Sequence, residues 1–113
     1  MTDPMQDLAN RHCEPLSGVE HRLSAELIAR GLLAVPGWQV LEHELVREFK
    51  FSDYYRSIAF VNALAFIAHS QDHHPDLSVH YNRVQVRFST HDVGGVSLND
   101  FICAAKVNAL LTT

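Results

Sequence analysis

Residues 69–75 have the sequence His-Ser-Gln-Asp-His-His-Pro and directly follow a long apolar segment from Tyr54 to Ala68. Proline disfavours helical geometry in the residue before it, so we expect His74 to lie at or just past the end of a helix. The partial negative charge of a helix C-terminus favours a protonated imidazole nearby. Two adjacent histidines at such a rim can point into a cleft, so this stretch is also a candidate site.

The chain before this stretch predicts a helix that packs on a β-hairpin. Ser52-Asp53 is a helix-start signal. An apolar stripe at helical spacing follows it, formed by Tyr54, Ile58, Val61, Ala65 and Ala68. Upstream, apolar and polar side chains alternate over Leu45 to Phe51, which is typical of a strand with one buried face. Trp38 to Glu42 is its predicted partner strand, with a turn near His43-Glu44.

Two shorter helices are predicted towards the ends of the chain. The first covers Ser24 to Ala34, with Ser24 as its N-cap and Pro36-Gly37 closing it. The other follows the break at Gly94-Gly95, where Ser97 to Asp100 resembles a capping box with Asp in place of the usual Glu or Gln. Its apolar residues continue at helical spacing to an end near Leu111.

A second hairpin completes the predicted fold. Leu77 to Tyr81 and Val84 to Phe88 each alternate, and Asn82-Arg83 is a plausible turn between them. The order helix, hairpin, helix, hairpin, helix favours an α+β domain: a four-stranded antiparallel sheet with three helices packed on one face. We assign this single domain to residues 23–113 and predict a loose N-terminal arm over residues 1–22. Exposed edge strands would favour self-association.

Composition and charge exclude several classes of function. The formal net charge is −4 and no run of Lys or Arg occurs, so binding to nucleic acid or an anionic membrane is not expected. No signal peptide is evident, and the apolar stretch Ile58–Ala68 is too short to span a bilayer, so a cytoplasmic location is predicted. Cys13 and Cys103 are interpreted as two unrelated free thiols in a reducing compartment.

Histidine is the residue type that points to a chemical function, because the chain contains eight of them. We expect five groups to converge at one rim of the fold, namely His69, His73, His74, His91 and Asp100. Imidazoles titrate near neutral pH, and a carboxylate beside one orients it, so the set favours proton transfer. Three alternatives stay open from spacing alone. Asp100 could only cap its helix, His91 could be a solvated turn residue, and His69 with His73 and a third histidine could bind zinc.

The full pattern is His-x3-His-His-Pro-x5-Tyr-x9-His-x8-Asp, and it resembles the pterin-4a-carbinolamine dehydratases. It is filled by His69, His73, His74, Pro75, Tyr81, His91 and Asp100. The resemblance covers roughly Leu23 to Leu110, and Cys13-Glu14-Pro15 resembles an N-terminal arm common in the family. One departure is Leu77, where many members have an aromatic residue that could shape the pocket wall.

The resemblance implies an enzyme that removes water from 4a-hydroxytetrahydropterin to give quinonoid dihydropterin during tetrahydrobiopterin recycling. By position, acid–base work falls mainly to His73 and His91, and His74 mainly binds and orients the pterin. His69, Pro75, Tyr81 and Asp100 would support them.

Further expectations follow from the same resemblance. No metal or organic cofactor is implied, a homodimer or homotetramer is expected, and the reaction links the protein to an aromatic amino acid hydroxylase. The alternative is a non-catalytic dimerisation or assembly cofactor on the same fold.

Overall fold

The computed structural model describes residues 3–111 and contains the helices and strands in the predicted order. The helices are α1 (Ala25–Ala34), α2 (Tyr54–Gln71) and α3 (Leu98–Ala109). The strands are β1 (Gln39–Leu41), β2 (Glu44–Lys50), β3 (Asp76–Val79) and β4 (Arg83–Phe88). All neighbouring strands are antiparallel, in the order β1-β2-β4-β3. The predicted α+β class is confirmed. Among residues 3–111, no helix is both long and apolar enough to cross a bilayer.

The core lies on the face of the sheet where apolar side chains of β2 and β4 stand opposite one another. Leu45 pairs with Phe88 and Phe49 with Val84, and all four are buried. Helix α2 adds Phe60, whose ring centroid lies 4.7 Å from that of Phe49. Full burial of such side chains contributes about 1.5 to 3 kcal/mol each, so these contacts stabilise the packing of α2 on the sheet.

Helix α2 begins as predicted and ends earlier than Pro75. The Asp53 side chain accepts a hydrogen bond from the Arg56 N–H, which caps the first turn. At the other end Asp72 adopts the left-handed conformation (φ 50°, ψ 44°). The Asp72 N–H bonds to the His69 carbonyl and the His73 N–H to the Ala68 carbonyl, which is a Schellman motif.

This helix end bears on the predicted site. The spacing of His69 and His73 would place both on one helix face if the helix reached His73, but α2 stops at Gln71. His74 lies beyond the end as predicted. Pro75 is not the stop: the reversal at Asp72 ends the helix, and Pro75 leads into β3.

The predicted turns are each one residue out of place. Glu42 and His43 both have positive φ (49° and 68°) between the paired residues Leu41 and Glu44, so they form the two-residue turn of the first hairpin. In the second hairpin the His80 N–H donates to the Arg83 carbonyl, which places the turn at Tyr81-Asn82. The propensities of the turn residues were too weak to fix either position.

The N-terminal arm is not loose over its described part. Met5 and Leu8 are 5% and 4% exposed and belong to the core, and the short turn Leu8–Asn10 packs on α3. The Lys106 ammonium donates to the Ala9 carbonyl at 2.8 Å. Apolar residues spaced too irregularly to show a period therefore anchor the arm. Of the predicted arm and domain, Met1, Thr2, Thr112 and Thr113 lie outside the described residues.

Candidate active site

His73 is held by the backbone at the end of α2 and by two side chains. Its ring stacks on Phe88, with centroids 5.9 Å apart and planes inclined by 8°. Its Nε2 lies 2.6 Å from Oδ1 of Asp100. The His73 side chain keeps 13% of its surface exposed, whereas Asp100 has none. The contact therefore joins a fully buried carboxylate to an imidazole that still reaches solvent.

Asp100 lies in the first turn of α3 and uses both carboxylate oxygens. Its Oδ2 accepts hydrogen bonds from the Ser97 N–H (2.8 Å) and the Thr90 hydroxyl (2.9 Å). The Thr90 and Ser97 hydroxyls lie 2.7 Å apart. These donors offset the cost of burying a carboxylate. Asp100 thus caps α3 and also contacts His73, so it does more than cap its helix.

The pKa of His73 reflects two opposing effects. Burial of the ring disfavours the charged form, but the hydrogen bond to Asp100 and the charge of that carboxylate outweigh it, so the pKa of His73 is raised. Negative charge on Cys13 and Asp72 acts in the same direction. Asp100 therefore stabilises the protonated form of the His73 imidazole.

Of the four histidines expected to converge, three line one pocket of about 490 Å³, and His69 does not. His73 and His74 line it from the chain after α2, and His91 lines it from the short 3-10 turn His91–Val93. His74 and His91 are exposed, as groups that meet a soluble substrate would be. A larger groove of about 690 Å³ lies near Arg47 and Asn108, and none of its lining residues is a histidine.

None of the four predicted supporting residues lines this pocket, although Asp100 contacts His73, which does. His69 is exposed on α2, and Pro75 lies ahead of β3. Tyr81 is in the β3–β4 turn, 65% exposed, with its ring stacked on that of Tyr54 at 6.4 Å between centroids. Tyr54 begins α2, whereas His73 follows its other end, and a supporting role for Tyr81 stays a prediction.

The sequence did not predict that the N-terminal arm forms a wall of the pocket. The Cys13 N–H donates to Oε1 of Gln71 at 2.8 Å. The Asn99 side chain clamps Glu14, accepting from its N–H at 3.1 Å and donating to its carbonyl at 2.6 Å. Cys13-Glu14-Pro15 was the available signal, because these residues resemble the family's arm. Among residues 3–111, no three His, Cys, Asp or Glu side chains are grouped so that they could hold a metal ion.

Comparison with known proteins places this geometry in a family. The family model described as pterin 4 alpha carbinolamine dehydratase matches residues 21–110. The chain belongs to this family. A relative from Xanthomonas campestris pv. campestris (strain 8004) is 58% identical over 112 residues, covering 97% of this chain and 94% of the relative. One from Xylella fastidiosa (strain 9a5c) is 58% identical over 105 residues, covering 91% and 90%. Both carry the provisional name pterin-4-alpha-carbinolamine dehydratase.

Two solved structures of the pterin dehydratase fold are similar. A transcriptional coactivator/pterin dehydratase from Brucella melitensis has a TM-score of 0.77 and 35% identity, covering 80% of this chain and 99% of that one. A pterin dehydratase-like protein identified as a RuBisCO assembly factor in the alpha-carboxysome has a TM-score of 0.55 and 25% identity, covering 67% and 88%. Proteins of this fold are thus named for catalysis and for assembly.

Proposed function

We propose that the chain is a 4a-hydroxytetrahydropterin dehydratase that forms quinonoid dihydropterin by histidine acid–base catalysis. The observation that carries the proposal is the His73–Asp100 contact at 2.6 Å, in the wall of a pocket that also holds His74 and His91. A buried carboxylate fixes the orientation of the imidazole and favours its protonated form. Membership of the pterin-4a-carbinolamine dehydratase family supplies the substrate class.

The reaction breaks one carbon–oxygen bond and one nitrogen–hydrogen bond. His73, with its raised pKa, is suited to protonate the hydroxyl on the ring carbon as it departs as water. His91 takes the proton from the neighbouring ring nitrogen, and the new carbon–nitrogen double bond completes the quinonoid product. His74 binds and orients the pterin. No metal or organic cofactor enters this balance, and acid–base catalysis typically contributes about 100- to 10,000-fold.

Substitution of the two acid–base histidines tests these roles. We expect His73→Ala and His91→Ala each to stay folded and to lose about 100-fold or more of the acceleration of carbinolamine dehydration. His80→Ala is the matched control, because His80 is exposed beside the β3–β4 turn and does not line the pocket. Near wild-type rates in both pocket variants, measured by stopped-flow absorbance, would refute the assignment.

The substrate also defines the expected biological setting. A carbinolamine arises when an aromatic amino acid hydroxylase uses its pterin, so we propose that this chain acts beside such a hydroxylase in tetrahydrobiopterin recycling. A homodimer or homotetramer is part of the proposal. The edge strands β1 and β3 are open to a second copy.

A non-catalytic assembly role is the second candidate, favoured by the likeness to a RuBisCO assembly factor. A protein with only that role has no need of a buried Asp100 paired with His73 at a pocket, and this chain has both. Absence of turnover, combined with a stoichiometric complex with one defined protein, would support the assembly role over the dehydratase.

A further inference from the structure

Two thiols that are distant in sequence meet beside the pocket. Cys13 Sγ and Cys103 Sγ lie 3.5 Å apart, although 90 residues separate them. Both are free thiols. Their interpretation as unrelated thiols was therefore wrong in one respect: the arm places Cys13 directly against α3. Sulfurs at this distance need to approach by only about 1.5 Å to reach the S–S bond length of about 2.0 Å.

The two thiols differ in access and in attachment. Cys13 lines the pocket from the arm, whereas Cys103 is 0% exposed within α3. Around Cys13, the Cys13 and Glu14 N–H groups of the arm donate hydrogen bonds to the side chains of Gln71 and Asn99, whereas Cys103 is packed within a helix. An oxidant that enters the pocket meets Cys13 first. The buried Cys103 sulfur lies 3.5 Å from that of Cys13 and is placed to attack it.

We propose that Cys13 and Cys103 form a peroxide-sensitive pair, in which Cys13 is oxidised at the pocket and Cys103 closes a disulfide that fastens the arm to α3. The proposal concerns modification of the chain and does not depend on the dehydratase reaction. Oxidation is expected to begin at Cys13, because the Cys13 residue is partly exposed and Cys103 is buried.

Peroxide converts the two thiols into a disulfide in two steps. The Cys13 sulfur attacks hydrogen peroxide, the O–O bond breaks, hydroxide leaves and takes up a proton as water, and Cys13 becomes a sulfenic acid. The Cys103 sulfur then attacks the Cys13 sulfur, and the hydroxyl group leaves with the Cys103 proton as a second water. Peroxide is reduced by two electrons and the two thiols are oxidised to one disulfide. A dithiol reductant reverses the change.

Local electrostatics support this division of roles. A hydrogen bond from Cys103 lowers the pKa of Cys13 against the opposing effect of burial, and the charge of His73 lowers it further. The hydrogen bond to Cys13 and burial raise the pKa of Cys103. Cys13 is therefore the better nucleophile.

Intact mass spectrometry of the full chain tests the proposal. After brief treatment with hydrogen peroxide, we expect wild-type protein to lose the mass of two hydrogen atoms, to stay a monomer on a non-reducing denaturing gel and to bind no maleimide. Cys103→Ser should instead gain one oxygen atom, trapped by dimedone at residue 13. Cys13→Ser should be unchanged over the same interval because Cys103 is buried.

Three outcomes would overturn the proposal: oxygen uptake on wild-type protein without disulfide, disulfide-linked dimers, or equal oxidation of the two variants. Alkylation of folded wild-type protein provides a second test that does not depend on the folding of either variant. In reduced wild-type protein, Cys13 should react with iodoacetamide at least about tenfold faster than Cys103. Equal rates would contradict the proposal.

Discussion

The Asp100 carboxylate connects the end of one helix to the start of another. Its Oδ1 contacts His73, just beyond α2, while its Oδ2 accepts the Ser97 N–H that opens α3. A single buried group therefore positions the imidazole and stabilises the helix beside it. Changes at Asp100 should consequently affect folding and the charge state of His73 together.

The pH dependence of stability tests this link. The raised pKa of His73 contributes stability in full below its ordinary value of about 6.5, and that stability is lost as pH rises through the folded-state pKa. In Asp100→Asn the two effects of the carboxylate are removed while burial of the ring remains, so the pKa of His73 falls below its wild-type value and this contribution shrinks. The difference in free energy of unfolding, wild type minus Asp100→Asn, should therefore decrease from pH about 5.5 to 8.5.

Urea titrations at several pH values measure this difference. Asp76→Asn is the control, because Asp76 is an exposed carboxylate on β3 outside the pocket, and it should show a nearly constant difference from wild type. A flat or rising difference for Asp100→Asn would contradict the ionised pair.

Residue types and spacing were sufficient to select His73, His74, His91 and Asp100, and the structure brings these four together. They could not select Thr90 as a partner of Asp100, because a lone threonine carries no distinctive pattern. Tyr81 is a different case. Its interval fits the pattern, but its ring stacks on that of Tyr54 at the start of α2, and its supporting role stays a prediction.

At the scale of elements, hydrophobic periodicity predicted the three α-helices and the four strands, whereas their boundaries depended on backbone geometry. The end of α2 is set by the left-handed conformation of Asp72. Asp tolerates this conformation, but its presence in a sequence does not predict it. The first hairpin turns through Glu42 and His43, neither of which favours positive φ. Its position therefore could not be predicted from turn propensity.

That turn offers a direct test of the hairpin geometry. Replacing Glu42-His43 with Asn-Gly should raise the free energy of unfolding by about 1 to 2 kcal/mol, because these residues accept positive φ readily. Urea denaturation measures the change. Glu44→Asn, one residue into β2, should give no such gain. If the Asn-Gly variant were no more stable than wild type, the two-residue turn would be wrong.

At the scale of the whole molecule, β1 and β3 are the edge strands of the sheet, and neither has a second strand partner among residues 3–111. Leu41 on β1 and Val79 on β3 are 48% and 40% exposed. We expect self-association through one of these edges. Leu41→Lys or Val79→Lys should shift sedimentation towards the monomer. Leu33→Lys, on α1 at a position 85% exposed, should not. A monomeric wild-type chain at micromolar concentration, or no effect of either edge variant, would contradict this expectation.

The packing of the N-terminal arm could not be predicted from sequence patterns. Its polar composition predicted a loose segment, yet Met5 and Leu8 are buried in the core and Cys13 to Ser17 form part of the pocket wall. Such packing joins residues nearly the length of the chain apart, and no local period encodes it. The completed pocket is therefore a property of the folded chain as a whole.

Turnover by the unmodified chain tests the central claim most directly. A hydroxylase supplied with tetrahydropterin generates the carbinolamine, and its decay is followed by ultraviolet absorbance with and without the reduced protein. The account predicts that the decay rate rises in proportion to protein concentration. Decay at the rate of buffer alone, with the protein shown to be folded by circular dichroism, would contradict it.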